Sequence, residues 1–566
     1  MVLILLSWIY ILFTTINLGF GFDRCIGLKN KNFTITSILG LFSVTILASI
    51  WAIFGRINIE FHGFLLILNL LLFFKLQKEI IEIYKVFWIE LQSLSKTLQL
   101  FLFTITLMIV AQCSSIPYVI DNESYYIQTI KWINEYGFVK GIVNLHFFLG
   151  QTSGWHITQS VFNFSFLYSN FNDLSGFCLL LGSFFTIQKL NEFNQNKNFN
   201  YLLIGLFPVT SILLFQFISA PSPDIPVYVL SFIIFFYFIE KFKKCSVEVL
   251  NLLIILILFT LYIKNTSLSL VPIPIILLAQ NFKLLSRNLI KPFAIAFVVL
   301  VLFITKNMII CGSPLFPSKL FESVTMDYAI PNSIESFYYD QLKYYGYFVD
   351  LQQYNAMSAF DLFLRWLSLP KLNGLFNKLS ILLIIITPFF IYKFQNKKAV
   401  WILYILMVLQ LIILFATSPQ YRFFMNFILF FSLFCFVCIF QNRQFIHTIL
   451  LLSLLPTLVI LFVPINLNQF SNYKFMMELS TFSKVEIIFP HKNTKNETDF
   501  EVIQLGNLKY NSPIQNDFFW ASGNGALPCV NKDQIAYFKK YFYIIPQMRT
   551  NDLKDGFHAK KINKND

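Results

Sequence analysis

Charge is scarce in this chain. Asp, Glu, Lys and Arg make up 13% of its 566 residues, about half the roughly 25% of a soluble globular domain. The motifs of soluble catalysis are missing as well. There is no glycine-rich phosphate loop, no G-x-G-x-x-G, no G-x-S-x-G and no zinc-like spacing of His and Cys. The C-x-x-C spacing of Cys435 and Cys438 falls inside an apolar run, where it reads as membrane helix. Met1–Leu6 has no basic stretch and no small-residue cleavage site, so it reads as a first span rather than a cleaved signal. With the polar loops read below as facing outward, nucleotide-sugar and ATP chemistry on the cytoplasmic side are excluded as the main activity.

Hydrophobic residues take up the remainder: 56% of the chain, with 69 Phe and a mean hydropathy of +0.64. The wealth of Phe, Ile, Asn and Lys resembles the bias of an AT-rich genome, so any single one of them carries little information. Apolar runs lie near 2–21, 34–54, 62–76, 97–113, 174–190, 200–218, 225–240, 249–263, 267–280, 292–306, 376–394, 399–417, 423–440 and 445–464. Their lengths suit a hydrocarbon core of about 30 Å, and backbone hydrogen bonding in lipid makes them helices. The expected fold is an all-α polytopic membrane protein of about fourteen transmembrane helices. The 249–280 pair is the hardest to divide, because only Lys264-Asn265-Thr266 separates its halves.

The net charge of +14 follows from where the basic residues stand. Loops after the odd-numbered runs carry Arg24, Lys29, Lys31, Lys78, Lys85, Lys241, Lys243, Lys244, Lys393, Lys397 and Lys398, whereas loops after the even-numbered runs carry little beyond Arg56, Lys264 and Arg422. By the positive-inside rule this puts the N-terminus and the C-terminal tail outside. It also explains the charge with a lipid bilayer as partner and no nucleic acid. Residues 1–113 form N-terminal transmembrane helices, and 114–464 a membrane core with outer loops 114–173 and 307–375. Residues 465–566 form a small outer-face α+β domain, with strand-like segments at Val485–Phe489 and Glu501–Leu505. Its end, from Tyr541 to Asp566, reads as only partly ordered. Cys113, Cys311 and Cys529 share the outer side, where one disulfide is allowed but no pairing can be assigned.

Polar chemistry concentrates on that side. The first outer loop holds Asp121, Glu123, His146, Trp155 and His156, with a 126–137 helical pattern expected to lie amphipathically along the interface. Ionisable groups at a membrane boundary are costly and commonly functional. Asp121, with Glu123 as the local alternative, could act as a general base or simply cap a helix. Asp224, in the turn Ser222-Pro223-Asp224-Ile225-Pro226, could position a substrate or metal, or start a helix. Arg422 goes against the positive-inside trend and could grip a phosphate or snorkel; Lys264 and Lys306 are weaker candidates of the same kind. His146 and His156 fit no zinc pattern.

These segments resemble a family of bacterial polytopic membrane proteins related to the GT-C glycosyltransferases and associated with surface-polysaccharide synthesis. The resemblance rests on Asp121…Tyr125, Ile130-Lys131-Trp132, Tyr136-Gly137, Gly141…His146, Trp155, Ser222-Pro223-Asp224, Lys306-Asn307, Gly312…Pro317, Arg422-Phe423 and Leu527-Pro528-Cys529. The chain departs from the family pattern at Tyr126 and at Phe147-Phe148. The resemblance implies an inverting glycosyltransferase in the bacterial inner membrane. It would move a sugar from a polyprenyl-phosphate donor to a glycan or glycolipid acceptor on the outer face. In that scheme Asp121 or Glu123 is catalytic, while Asp224, Arg422, Lys264, Lys306, His146 and Trp155 bind substrate. Any cofactor would be Mg²⁺ or Mn²⁺, given oxygen ligands only. The alternatives are an O-antigen-polymerase-like enzyme, which would lean on outer-loop arginines although the 307–375 loop has only Arg365, and a transporter or flippase of lipid-linked glycans.

Overall fold

The structure is a computed structural model; it describes residues 1–563 except 169, 319–325, 395, 467–481, 496, 515–517 and the Arg287 side chain. Helices α1 (Val2–Ile26) and α2 (Phe33–Phe54) open the chain as a tight hairpin. Gly19 and Gly40 set its spacing: a Cβ on Gly19 would fall onto the carbonyl of Thr36, and one on Gly40 onto that of Thr15. The turn between the helices uses Gly27 at φ +83° and the Asn32 side chain, which caps α2 at the Ile35 amide. Helices α3 (Ile59–Lys75) and α4 (Gln77–Ser93) meet at an 89° bend. Along α4, Ile80 and Ile83 are buried while Lys78, Glu79, Glu82 and Lys85 are exposed, as befits a helix lying across the bundle.

After α5 (Lys96–Ser114) come two short helices, α6 (Ile127–Tyr136) and α7 (Gly154–Val161). The chain continues through α8 (Leu174–Asn196), α9 (Phe199–Gly205), α10 (Ser211–Ile218), α11 (Asp224–Lys241), α12 (Val247–Ile263), α13 (Pro272–Gln280), α14 (Phe282–Leu285) and α15 (Ile290–Cys311). Within the long 307–375 loop lie α16 (Asn332–Tyr345), α17 (Leu351–Ala356) and α18 (Ala359–Leu367). Helices α19 (Lys371–Ile391), α20 (Lys397–Ala416), α21 (Met425–Ile439), α22 (Arg443–Leu452) and α23 (Leu454–Phe462) complete the bundle.

Each of the fourteen apolar runs is helical. Among the described residues, eight helices or joined helix pairs are long and apolar enough to cross a membrane, nine if the bent α3–α4 pair counts as one span. The chain is therefore a multi-pass α-helical membrane protein.

The tail is built differently from the sequence expectation. Glu501–Leu505 does form a strand, within β1 (Phe500–Leu505), paired antiparallel with β2 (Leu508–Pro513) from Phe500↔Pro513 to Leu505↔Leu508. Val485–Phe489 does not. It is a 3₁₀ turn over Lys484–Ile487, fixed by a capping box between Ser483 and Glu486, and its apolar side chains are exposed. The alternating pattern came from a turn exposing apolar residues beside the spans, not from a sheet face. Most of the stretch from Tyr541 is ordered: β3 (Ile544–Met548) and β4 (Phe557–Lys561) form a second hairpin behind the Lys532–Phe542 helix. Only 564–566 lie outside the described residues. All eight cysteines are free thiols, so Cys113, Cys311 and Cys529 form no disulfide.

Replacing Gly40 with Val should push α1 and α2 apart at a cost of about 1–3 kcal/mol, as overpacking generally does. Gly63→Val, where a Cβ meets nothing within 4 Å, should cost far less. Thermal unfolding in detergent compares the two, and equal losses would show that the close hairpin contributes nothing.

Candidate functional site

Four charged residues from distant parts of the chain meet at one end of the bundle. Asp121 follows α5, Asp224 begins α11, Lys264 follows α12, and Arg422 sits in the turn between α20 and α21. Arg422 Nη1 donates to Asp121 Oδ2 at 2.7 Å, and the Lys264 ammonium donates to Asp224 Oδ1. The two cations share one ring: Lys264 Nζ lies 4.2 Å and the Arg422 guanidinium 5.0 Å from the Phe423 centroid. Cations over an aromatic face gain from its quadrupole, so Phe423 ties the two pairs together.

Local structure explains why these side chains converge. Ser222 donates to Asp224 Oδ2 at 3.2 Å and accepts from the Asp224 amide at 3.3 Å, which fixes the carboxylate at the start of α11. Tyr228, one turn along α11, donates to the Arg422 carbonyl at 2.8 Å. Gln410 of α20 donates to the carbonyls of Thr266 and Phe423. The turns carrying Lys264 and Arg422 are thus knitted together through backbone groups.

Exposure separates the two pairs. The side chains of Asp224 and Lys264 are 2% and 13% exposed, those of Asp121 and Arg422 20% and 26%. The inner pair is sealed in; the outer pair is partly exposed. Tyr125 lies buried four residues on from Asp121, its hydroxyl donating to Gln151 Oε1 at 3.0 Å, and the Gln151 amide donates in turn to the Tyr338 hydroxyl.

The other sequence candidates lie elsewhere. Glu123 sits apart from the charged cluster, in the π-helical turn Asn122–Tyr126, and holds the tail. Its carboxylate accepts from the Thr494 hydroxyl at 2.7 Å and the Lys495 amide at 2.8 Å, while its carbonyl accepts from the amides of Ser522 and Gly523. Gln128 and Lys131 extend the clasp by donating to the carbonyls of Gly523, Asn524 and Gly525. That is why α6 has no solvent-facing polar side before Glu135: both its apolar Ile130 and Ile133 and its polar Gln128 and Asn134 are buried, Gln128 under the tail and Asn134 against the carbonyls of Ile57 and Ser160.

His146 Nδ1 accepts from the Phe148 amide, and its Nε2 lies 3.3 Å from the Trp520 carbonyl; burial pushes its pKa down to about 4. His156 caps its own helix with Ser153 and is pushed down to about 3, again by burial. Trp155 Nε1 donates to Ser175 at 3.1 Å, and Lys306 donates to the Thr152 carbonyl. These four are structural in this arrangement, Trp155 joining the cluster only through Ser175, whose hydroxyl donates to the Ser222 carbonyl. Tyr126 packs on the His156 ring at 4.6 Å. Phe147 and Phe148 pack on Tyr338 and Trp520.

Sequence reasoning missed Phe423 as the shared ring, and Gln128 and Lys131 as the clasp. Phe423 stands next to Arg422, which was its only signal. The clasp had none, because its partners are backbone carbonyls about 390 residues away.

Asp121 and Asp224 each already face a cation, and among the described residues no group of three or more His, Cys, Asp or Glu could hold a metal.

Two outcomes follow. Removing one partner of a buried pair leaves an uncompensated charge, at about 3–5 kcal/mol. Asp224→Asn should therefore destabilise more than the double variant Asp224→Asn/Lys264→Met in thermal unfolding; the reverse order would show that the pair is not coupled. Burial also pushes Glu123 from 4.5 up to about 7. A folded-state value above the unfolded one means its contribution is fully present below about pH 4.5 and is lost as pH rises through about 7. Limited proteolysis of the tail should speed up between about pH 5 and about pH 8, and Glu123→Gln should flatten that dependence.

The family model described as a domain of unknown function, DUF8201, matches residues 1–429. No curated protein and no solved structure matches the chain.

Proposed function

We propose that this chain, which belongs to the DUF8201 family, transfers a sugar from a lipid-linked phosphate donor to an acceptor hydroxyl at the mouth formed by Asp121 and Arg422. One observation carries the reading: a partly exposed carboxylate–guanidinium pair stands at the end of a helix bundle, with a second cation sharing the Phe423 ring behind it. Sugar transfer needs both kinds of group. Asp121 would take the proton from the acceptor hydroxyl as its oxygen attacks the anomeric carbon. The bond from that carbon to the phosphate oxygen breaks on the opposite face, giving inversion. Arg422, with Lys264 behind it, would meet the charge that develops on the departing phosphate. In the resting pair Arg422 neutralises Asp121; an arriving phosphate competes for the guanidinium and releases the carboxylate for its role as base.

The alternation of basic loops supports placing this mouth on the outer face of a bacterial inner membrane with about fourteen spans, and a lipid chain can reach it laterally between helices. The polymerase-like alternative gains nothing from Arg365, whose guanidinium donates to the carbonyls of Tyr347 and Phe348. A divalent ion has no part in this scheme.

The test is transfer from a radiolabelled polyprenyl-phosphate sugar in proteoliposomes. Asp121→Asn should lower the rate by about 10²–10⁴, the range for loss of a general base. Arg422→Lys should also impair it, since a point charge replaces a planar fork. Unchanged transfer by a well-folded Asp121→Asn protein would refute the base role.

A further inference from the structure

A cavity of about 610 Å³ opens where the end of α2 meets α3, α6 and the tail, within the range of about 300 to 1,000 Å³ seen for small-molecule sites. Backbone contacts fix its walls. The Phe138 amide donates to the Ala52 carbonyl at 2.7 Å and the Ile57 amide to the Ile133 carbonyl at 3.0 Å. Gly137, at φ +77°, leaves no room for a Cβ against the Gly55 carbonyl. Walls held in this way lower the cost of binding.

The lining has two parts. Leu47, Ile50, Phe54 and Phe64 make an apolar floor. Trp51 stacks on Phe64 at 5.5 Å, its indole N–H already donating to the Arg56 carbonyl. From Phe64 the floor continues along α3 through Ile67, Leu71 and Phe74, all exposed and spaced for one helical face. The rim, by contrast, carries Arg56, Glu60, Glu135 and Lys554. Arg56 and Glu60 satisfy each other, with Nε and Nη2 both donating to Glu60 Oε1, the shorter bond at 2.6 Å. Glu135 and Lys554 do not pair. They line one cavity from α6 and from the tail, and among the described residues neither side chain has an ion-pair or hydrogen-bond partner. Lys131, one turn before Glu135, donates instead to the carbonyls of Asn524 and Gly525.

This division selects the occupant. The rim stands where the apolar helix α2 ends, which is the level of lipid headgroups. Floor and stripe suit a hydrocarbon chain, and an acid and a base that face one cavity without meeting suit a headgroup carrying both signs. An anionic headgroup would meet two carboxylates and two cations, one of them already paired. A neutral or cationic one would leave Lys554 unmet. Among zwitterions, a primary ammonium donates hydrogen bonds to a carboxylate, and a quaternary one has none to donate.

We propose that this cavity seats a phosphatidylethanolamine-type lipid, with its ammonium on Glu135, its phosphate on Lys554 and one chain along the floor and α3. The site is separate from the Asp121 centre; it goes beyond the transfer reading and stands without it.

Native mass spectrometry of the full-length protein in detergent tests it, with phosphatidylethanolamine, phosphatidylcholine and phosphatidylglycerol of identical chains offered in equal amounts. The ethanolamine lipid should be retained about fivefold over either of the others. Glu135→Lys makes the rim basic and should turn the preference towards phosphatidylglycerol, a gain that misfolding does not produce. Lys554→Glu should lower retention of the ethanolamine lipid by about fivefold. Gly55→Leu, where a Cβ meets only Trp51 Nε1 at 3.8 Å, fills the cavity and should lower retention of all three. Should Gly55→Leu fail to fold, the two charge variants decide. Equal retention of the three lipids, a choline lipid held as well as the ethanolamine lipid, or a preference unmoved by Glu135→Lys would each overturn the proposal. Failure of sugar transfer would leave it untouched.

Discussion

The rest of the bundle depends on pairing charge where water is scarce. Taking a carboxylate and an ammonium out of water costs several kcal/mol each unless they meet in good geometry. Asp224 and Lys264 meet that condition across 40 residues of sequence, and Asp121 and Arg422 do so across 301. The ends of α5, α11, α12 and α20 must therefore reach one level. A shift of any of these helices by one turn would separate a pair by about 5 Å and strand two charges. The register of the bundle and the assembly of the cluster are in this sense a single constraint, with the Phe423 ring and the Tyr228 and Gln410 hydrogen bonds fixing its detail.

The two pairs differ in what they can do, and exposure is the reason. A sealed pair such as Asp224–Lys264 is weak evidence for activity, because its attraction is spent against desolvation. A pair reaching solvent is cheap to open, since water or a ligand can replace either partner. Chemistry that needs a carboxylate and a cation in turn is better served by the outer pair held in place by the inner one. Glu123, two residues from Asp121, illustrates the opposite fate: a π-helical turn aims it at the tail, where hydrogen bonds from Thr494, Lys495, Ser522 and Gly523 use its carboxylate and its carbonyl.

Much of this was legible from residue type and position alone. The apolar runs gave the helices because length and hydropathy are local properties. Asp121, Asp224, Lys264 and Arg422 stood out because charge at the end of an apolar run is costly wherever the chain folds, so a reason for each was required. What could not be read was the partnership. Nothing in the sequence says that Arg422 faces Asp121 and Lys264 faces Asp224, nor that Glu123 turns away. The tail was the least legible part. Val485–Phe489 alternates like a strand, yet the capping box of Ser483 and Glu486 makes it a turn, and its apolar side chains point outward instead of into a sheet. The amphipathic pattern of α6 was real, but its polar face turned out to meet backbone carbonyls rather than water.

The extent of the family match sharpens the division of labour. Residues 1–429 contain Asp121, Asp224, Lys264, Arg422 and Phe423, so the charged cluster is complete within them. The tail lies outside the match, and it supplies the partners of Glu123, Gln128 and Lys131. Two layers follow. The inner layer is held by buried charge and lies wholly within the match; the outer layer is made of contacts that the tail supplies. Because Glu123 stands two residues after Asp121 and the clasp continues into α6, the docked tail also fixes the backbone that carries the Asp121 carboxylate. The tail contributes to the mouth by holding its first loop still, even though none of its side chains takes part in either ion pair.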